Sequence, residues 1–197
     1  MKQNKSLIFG IAAALLSVFT FMAYSLPASA ADEKIEQQRA DIRKMADDTL
    51  ERLYKTQPSA EKAIKKAAGY AVFSNFGLKI FFAGGGSGKG IAVNNKSKKD
   101  TYMKMIEVQA GLGMGVKKFR LIWVFDNQSD LDTFINSGWE LGGQGTAAAK
   151  ASGEGAALAG AMSIKPGVWL YQLTDDGLAL ELTAKGTKYY RDDTLNE

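Results

Sequence analysis

Glu107, Glu140 and Glu181 are the side chains of this 197-residue chain whose chemistry comes nearest to catalysis. Two carboxylates flanking a glycosidic bond can cleave it as acid and nucleophile, or as acid and base. The sequence alone does not place any two of these three at the distance required, and Glu181, set between Leu180 and Leu182, reads as the solvated face of a strand. The remaining repertoire is thinner. With no histidine and no cysteine, the chain cannot build Ser-His-Asp or Cys-His nucleophiles, histidine-held zinc or a zincin motif. Asp126, Asp130 and Asp132 lack the central glycine and closing glutamate of a calcium loop, and helix capping by Asp126 or Ser129 accounts for them. Trp123, Trp139 and Trp169 could stack on sugars, although Trp123 falls inside an apolar run and reads as core. No catalytic residue, metal ligand or cofactor is assigned, and the expectation is a protein that is not an enzyme.

Binding chemistry is better represented. From Gly69 to Gly90 the bulky side chains Tyr70, Val72, Phe73, Phe76, Ile80, Phe81 and Phe82 precede five glycines, Gly84, Gly85, Gly86, Gly88 and Gly90. Strand-forming rings beside residues without Cβ imply a strand that bends sharply, or one that another backbone or a ligand approaches closely. The run is not a phosphate loop. Gly90 stands where Ser or Thr would hold magnesium, Ala83 stands where the first glycine belongs, and no helix pattern follows. Three basic groups remain: Lys62, Lys65 and Lys66; Lys96, Lys98 and Lys99; and Lys117, Lys118 and Arg120. Two of them converging would face an acidic membrane at about 1 kcal/mol per charge; dispersed, they would aid solubility alone.

The elements that must position these groups follow from composition and period. Lys2 and Lys5, the apolar run Leu7 to Ala23, Pro27 and the small-residue site Ala28-Ser29-Ala30 spell an export signal over 1–30, cleaved before Ala31. Its removal lowers the formal charge from +4 to +2, too little to suggest nucleic acid as a partner. The expected location is the periplasm, with secretion as the other destination. Residues 31–197 make one domain, helical over 32–68, mainly β over 70–184, with a polar, loosely held tail over 189–197. A helix over 32–56 aligns Ile35, Ile42, Met45, Leu50 and Leu53, and Pro58 ends it. A shorter helix starts at a Ser59 cap and stops at Gly69. Strands are expected near 70–74, 78–84, 88–94, 101–109 and 114–125, then a short helix to Ser137, then strands 168–173 and 178–183. Residues 142–161, rich in Gly and Ala, fit a loop, a thin strand pair or a small-residue helix. The sum is an α+β fold: N-terminal helices packed on a strongly curved, mainly antiparallel sheet of seven or eight strands, barrel-like or sandwich-like.

Gly69-Tyr70-Ala71-Val72-Phe73, Gly77, Phe81, Gly84-Gly85, Gly88 and Gly90 resemble the opening of the SYLF domain, found in exported bacterial proteins and beside SH3 or FYVE domains in eukaryotes. Gln109-Ala110-Gly111, Val124-Phe125, Gly138-Trp139-Glu140-Leu141-Gly142 and Gly177-Leu178 extend the resemblance over about residues 40 to 190. Ser74, where the family usually has Pro, and Leu78, where Lys is common, depart from it. The resemblance implies lipid binding without catalysis; the phosphoinositide and actin partners of eukaryotic members do not carry over to a bacterial envelope. The leading expectation is a non-enzymatic module that engages anionic lipid or a membrane surface through apolar residues near Phe76, Phe81 and Phe82. Lys62, Lys65, Lys66, Lys79 and Lys89 would fringe them. The alternative is a structural or interaction protein of the envelope that docks a protein partner on the Gly/Ala segment. A carboxylate-dependent hydrolase is the third reading.

Overall fold

The computed structural model describes residues 28–80, 83–110, 115–141, 159–179 and 186–197. Two compact units divide the chain, residues 1–38 and 39–197. Of the first, the described part is the opening of helix α1 (Ala28–Thr56), which starts earlier than its periodicity predicts and takes in Ala28-Ser29-Ala30. In the second unit, α1 buries Ile42, Ala46, Leu50 and Leu53, spaced to form one stripe. Lys44–Asp48 and Lys55–Glu51 pairs, each at 2.7 Å, decorate its wet side and add a few tenths of a kcal/mol apiece.

Helix α2 (Ser59–Lys66) buries Ala60 and Ile64. Its ends differ from expectation. Pro58 occupies the N-cap, while the Ser59 hydroxyl accepts from Gln57. Gly69 does not terminate the helix; it opens β1 (Gly69–Ile80), where a Cβ would lie 2.6 Å from Leu131 Cδ2 and against the Val93 carbonyl. That glycine permits close approach rather than a turn.

Strands β2 (Ala83–Asn94), β3 (Asp100–Ala110) and β4 (Gly115–Phe125) follow, then helix α3 (Gln128–Asn136). The smaller strands are β5 (Trp139–Leu141), β6 (Met162–Lys165), β7 (Val168–Thr174), β8 (Gly177–Ala179) and β9 (Thr187–Arg191). They form one antiparallel sheet in the order β5-β9-β3-β2-β1-β4-β7-β6, with β8 also on β7. The α+β expectation holds. β1 is longer than its sequence pattern suggests, because it absorbs the stretch that had read as a separate strand from 78. The tail from 189 is not loose: Tyr189, Tyr190 and Arg191 complete β9, and Leu195, in a 3₁₀ turn, is buried.

The sheet curls into a half-barrel. Four strand spacings separate β9 from β4, roughly 19 Å across a flat sheet at about 4.8 Å per spacing. Yet the ring centroids of Tyr189 and Trp123 are 5.2 Å apart, and those of Tyr189 and Phe73 are 5.0 Å apart. The inner face holds these rings with Met103, Met105, Phe119, Leu121, Phe125 and Leu170, and α3 plugs it with Leu131 and Phe134. The glycines of β2 make room: a Cβ on Gly88 would meet Met105 Cγ at 2.7 Å, and one on Gly90 would meet Phe73 Cε1 at 2.7 Å. Side chains of neighbouring strands fold across the bare backbone, the device that lets bulky groups rescue strand glycines. On the outer face, Val72, Ile91, Ile122, Val124 and Tyr171 are buried. Across that side, α1 is pinned at one end by Arg39 to the Leu195 carbonyl (3.0 Å) and Arg43 to Asp100 (2.9 Å). At the other end Arg52 bonds the Thr174 and Asp175 carbonyls.

Candidate functional site

Strand alternation builds the site. Beyond the half of the outer face that α1 and α2 reach, the same-facing positions turn cationic. Arg120 of β4 registers with Ser74 of β1, Ser74 with Lys89 of β2, Lys89 with Lys104 of β3, and Lys104 with Tyr190 of β9. Directly opposed residues share a face, so these five form one row across the strands. The next row runs from Lys118 through position 76 and Ser87 to Ile106 and Lys188. Ile106 and Val108 stand out of this surface 46% and 64% exposed.

Two hollows follow the rows. A cleft of 510 Å³ is lined by Ser74, Ser87, Lys89, Lys104, Ile106 and Tyr190. A hollow of 250 Å³ is lined by Arg52, Ser74, Lys118, Arg120, Thr174 and Asp175. Ser74 belongs to both. Lys104 pairs with buried Asp192 at 2.8 Å, and Lys188 with Glu140 at 3.2 Å. Nη1 of Arg120 is buried and meets no hydrogen-bond acceptor among the described residues.

A second basic patch forms at the opposite end of the long strands. The Asn95 side chain donates to the Ile64 carbonyl at 2.7 Å and the Ala67 carbonyl at 2.9 Å. This ties the Asn94–Lys99 loop to the end of α2, so the group Lys62, Lys65 and Lys66 meets the group Lys96, Lys98 and Lys99. Of these, Lys65 is paired with Glu61 at 2.6 Å. The expected binding residues thus separate: Lys62, Lys65 and Lys66 lie at the α2 end, and Lys89 lies on the outer row about 17 Å along β1 at roughly 3.4 Å per residue. The backbone at Phe76 registers with Ser87 and Lys118, and that at Lys79 with Gly84 and Gly115. Phe81 and Phe82 lie outside the described residues, as does most of the Gly/Ala segment.

Among the described residues, the groups considered for catalysis do not converge. Glu107 is buried on the inner face opposite Thr187, whereas Glu140 is exposed and joined to Lys188 on the outer one; Glu181 lies outside the described residues. Asp126 accepts from the Trp169 indole at 3.1 Å, Asp132 from Gln128 at 2.8 Å, and Asp130 pairs with Lys165, which holds its carboxyl below the usual range. The helix cap is neither Asp126 nor Ser129 but Asn127, whose side chain accepts from the Asp130 amide. Trp123 is core as expected, and the Trp139 ring lies beside it, tilted by 44° with centroids 5.3 Å apart. Sequence reasoning missed Lys104, Ile106, Lys188 and Tyr190. Alternation with Met103 and Met105 marks Lys104 and Ile106 as sharing a face, but nothing local shows that β9 pairs with β3.

The Ysc84 family model, described as "Las17-binding protein actin regulator", matches residues 106–197. Beta cell expansion factor A of Aeromonas veronii is 36% identical over 165 residues, which cover 82% of this chain and 60% of that protein. The chain therefore spans about three fifths of that relative's length. The matched region includes β4, α3, β7 and β9, hence one flank of each hollow. Residues 106–197 thus match the Ysc84 family, the SYLF-domain family that the chain's motifs resemble.

Proposed function

We propose that this protein is a non-enzymatic module of the bacterial envelope that binds anionic lipid or amphiphile surfaces through the outer face of its sheet. The observation that carries the reading is the exposure of Ile106 and Val108 among Lys89, Lys104, Lys118, Arg120 and Lys188. Burying each aliphatic side chain contributes about 1.5–3 kcal/mol at most, and each cation near an acidic bilayer about 1 kcal/mol. The basic patch at α2 lies at the other end of the strands and serves as a second, weaker contact. Sedimentation of the protein with vesicles of phosphatidylcholine and increasing phosphatidylglycerol tests this. Pelleting should rise with the anionic fraction, fall with salt, and drop several-fold in an Ile106→Ser, Val108→Ser double variant. Absence of pelleting at every anionic fraction would discard the reading. A protein-interaction role is the second reading, favoured by the protein partner named in the description of the matched family; in-cell cross-linking to protein without vesicle binding would select it.

A further inference from the structure

We infer that the 250 Å³ hollow between α1, β1, β4 and β7 is a discrete binding site for a phosphate-bearing group. Three observations converge on it. Arg120 lines this hollow, and its Nη1 is buried with no acceptor among the described residues. A guanidinium nitrogen removed from water is expected to have a partner, and an oxyanion supplies the acceptor this one lacks. Arg52 reaches the same hollow from α1 and is held there by its bonds to the Thr174 and Asp175 carbonyls, so it is positioned before any ligand arrives. Lys118 and the Ser74 hydroxyl complete the lining with a further cation and a donor, and Asp175 is the one acid among the described lining residues.

The shape narrows the ligand. Sites for drug-sized molecules occupy about 300–1,000 Å³, so a hollow of 250 Å³ suits a compact anion and little beyond it. A planar guanidinium with two further cations from separate elements favours an anion with several charged oxygens, which a phosphate monoester provides. Ser74 also borders the 510 Å³ cleft, so a substituent on the phosphate has a path toward Ile106 and Tyr190. This site goes beyond the surface reading, because a dissolved phosphate would occupy it with no membrane present.

Titration calorimetry of the whole protein with inorganic phosphate, at ionic strength matched with chloride, tests the assignment in the absence of vesicles. Saturable one-to-one binding is expected, weakened at least tenfold in Arg120→Gln and less in Lys118→Gln, whose exposed side chain can be changed without disturbing the fold. In chloride alone, Arg120→Gln should melt no lower than the parent, because it removes an unpartnered buried nitrogen; a salt-bridge role would lower it. If inorganic phosphate does not bind, vesicles of phosphatidylcholine with phosphatidate should bind more tightly than vesicles of equal charge made with phosphatidylglycerol, and Arg120→Gln should abolish the difference. That outcome assigns the site to a lipid headgroup, and phosphate binding assigns it to a dissolved ester. Equal phosphate binding by parent and Arg120→Gln means an adventitious ion only, and failure of both arms overturns the inference. The Ile106→Ser, Val108→Ser double variant should keep phosphate binding while losing vesicle sedimentation, which separates failure of this site from failure of the surface reading.

Discussion

A Cβ placed on Gly90 would lie 2.7 Å from Cε1 of Phe73 and closer still to the Val72 carbonyl, whereas one on Gly85 would find its nearest neighbour, the Glu107 carbonyl, at 3.6 Å. Two glycines of a single run therefore do different work. Gly90→Ala forces Phe73 out of its contact with Tyr189 or moves β1 away from β2, and should cost about 1–3 kcal/mol. Gly85→Ala meets only ordinary contact and should change stability by less than about 1 kcal/mol. Paired denaturant melts of the two variants check this contrast; equal losses would show that the glycines merely confer flexibility. The sequence already implied that something approaches this run closely. It could not show that the visitor is the side chain directly opposite on the neighbouring strand, because period two assigns a face and not a neighbour.

At the scale of elements, the most consequential contact is the one made by Asn196. Its amide accepts from the Tyr102 backbone N–H at 2.9 Å and donates to the Tyr102 and Asp192 carbonyls at 2.8 and 2.6 Å. One side chain thus stands in for a strand at the start of β3. Asn196→Ala removes three hydrogen bonds at a partly buried junction and should cost about 1–3 kcal/mol. Hydrogen exchange should accelerate in the half of α1 that Arg39 anchors to the Leu195 carbonyl, while the half near Arg52 stays protected. Uniform acceleration along α1 would argue against such a local latch. The two leading helices, the loop after Asn94 and the apolar β4 were legible, because strong periodicity or a polar cluster marks each. The closing segment was not. Its polar composition matches that of a frayed end, and only pairing with β3, some eighty residues earlier, makes it a strand.

Across the whole molecule, burial shows in the phenols. Tyr54 and Tyr171 are pushed up to about 12, chiefly by burial, and Tyr189, enclosed among the inner rings and near Glu107, is pushed higher still. A phenol whose folded pKa exceeds its unfolded value of about 10 favours the fold fully below pH 10; that contribution is lost as pH rises toward the folded value. Stability should therefore decline from about pH 10 upward. Absorbance near 295 nm should show these three ionising only as the protein unfolds. Titration of Tyr54, Tyr171 and Tyr189 near pH 10 in folded protein would contradict the packing described. The α+β class and curved sheet could be read from glycines beside rings. The cationic row could not, since Arg120, Lys89, Lys104 and Tyr190 meet only through the strand order.

The bond from Arg39 to the Leu195 carbonyl joins positions 156 residues apart, and Arg39 also donates to the Glu197 carbonyl. A ribosome makes the helix long before this clasp. Until Leu195 is translated, Ile42, Ala46, Leu50 and Leu53 have a sheet to cover, but that end of the cover lacks one of the fastenings it has beside the Arg43–Asp100 pair. Closing so long a loop is entropically slow, so this end of the helix stays loosely held until then. A product terminated before Leu195 should be cut faster by proteases than one that includes it.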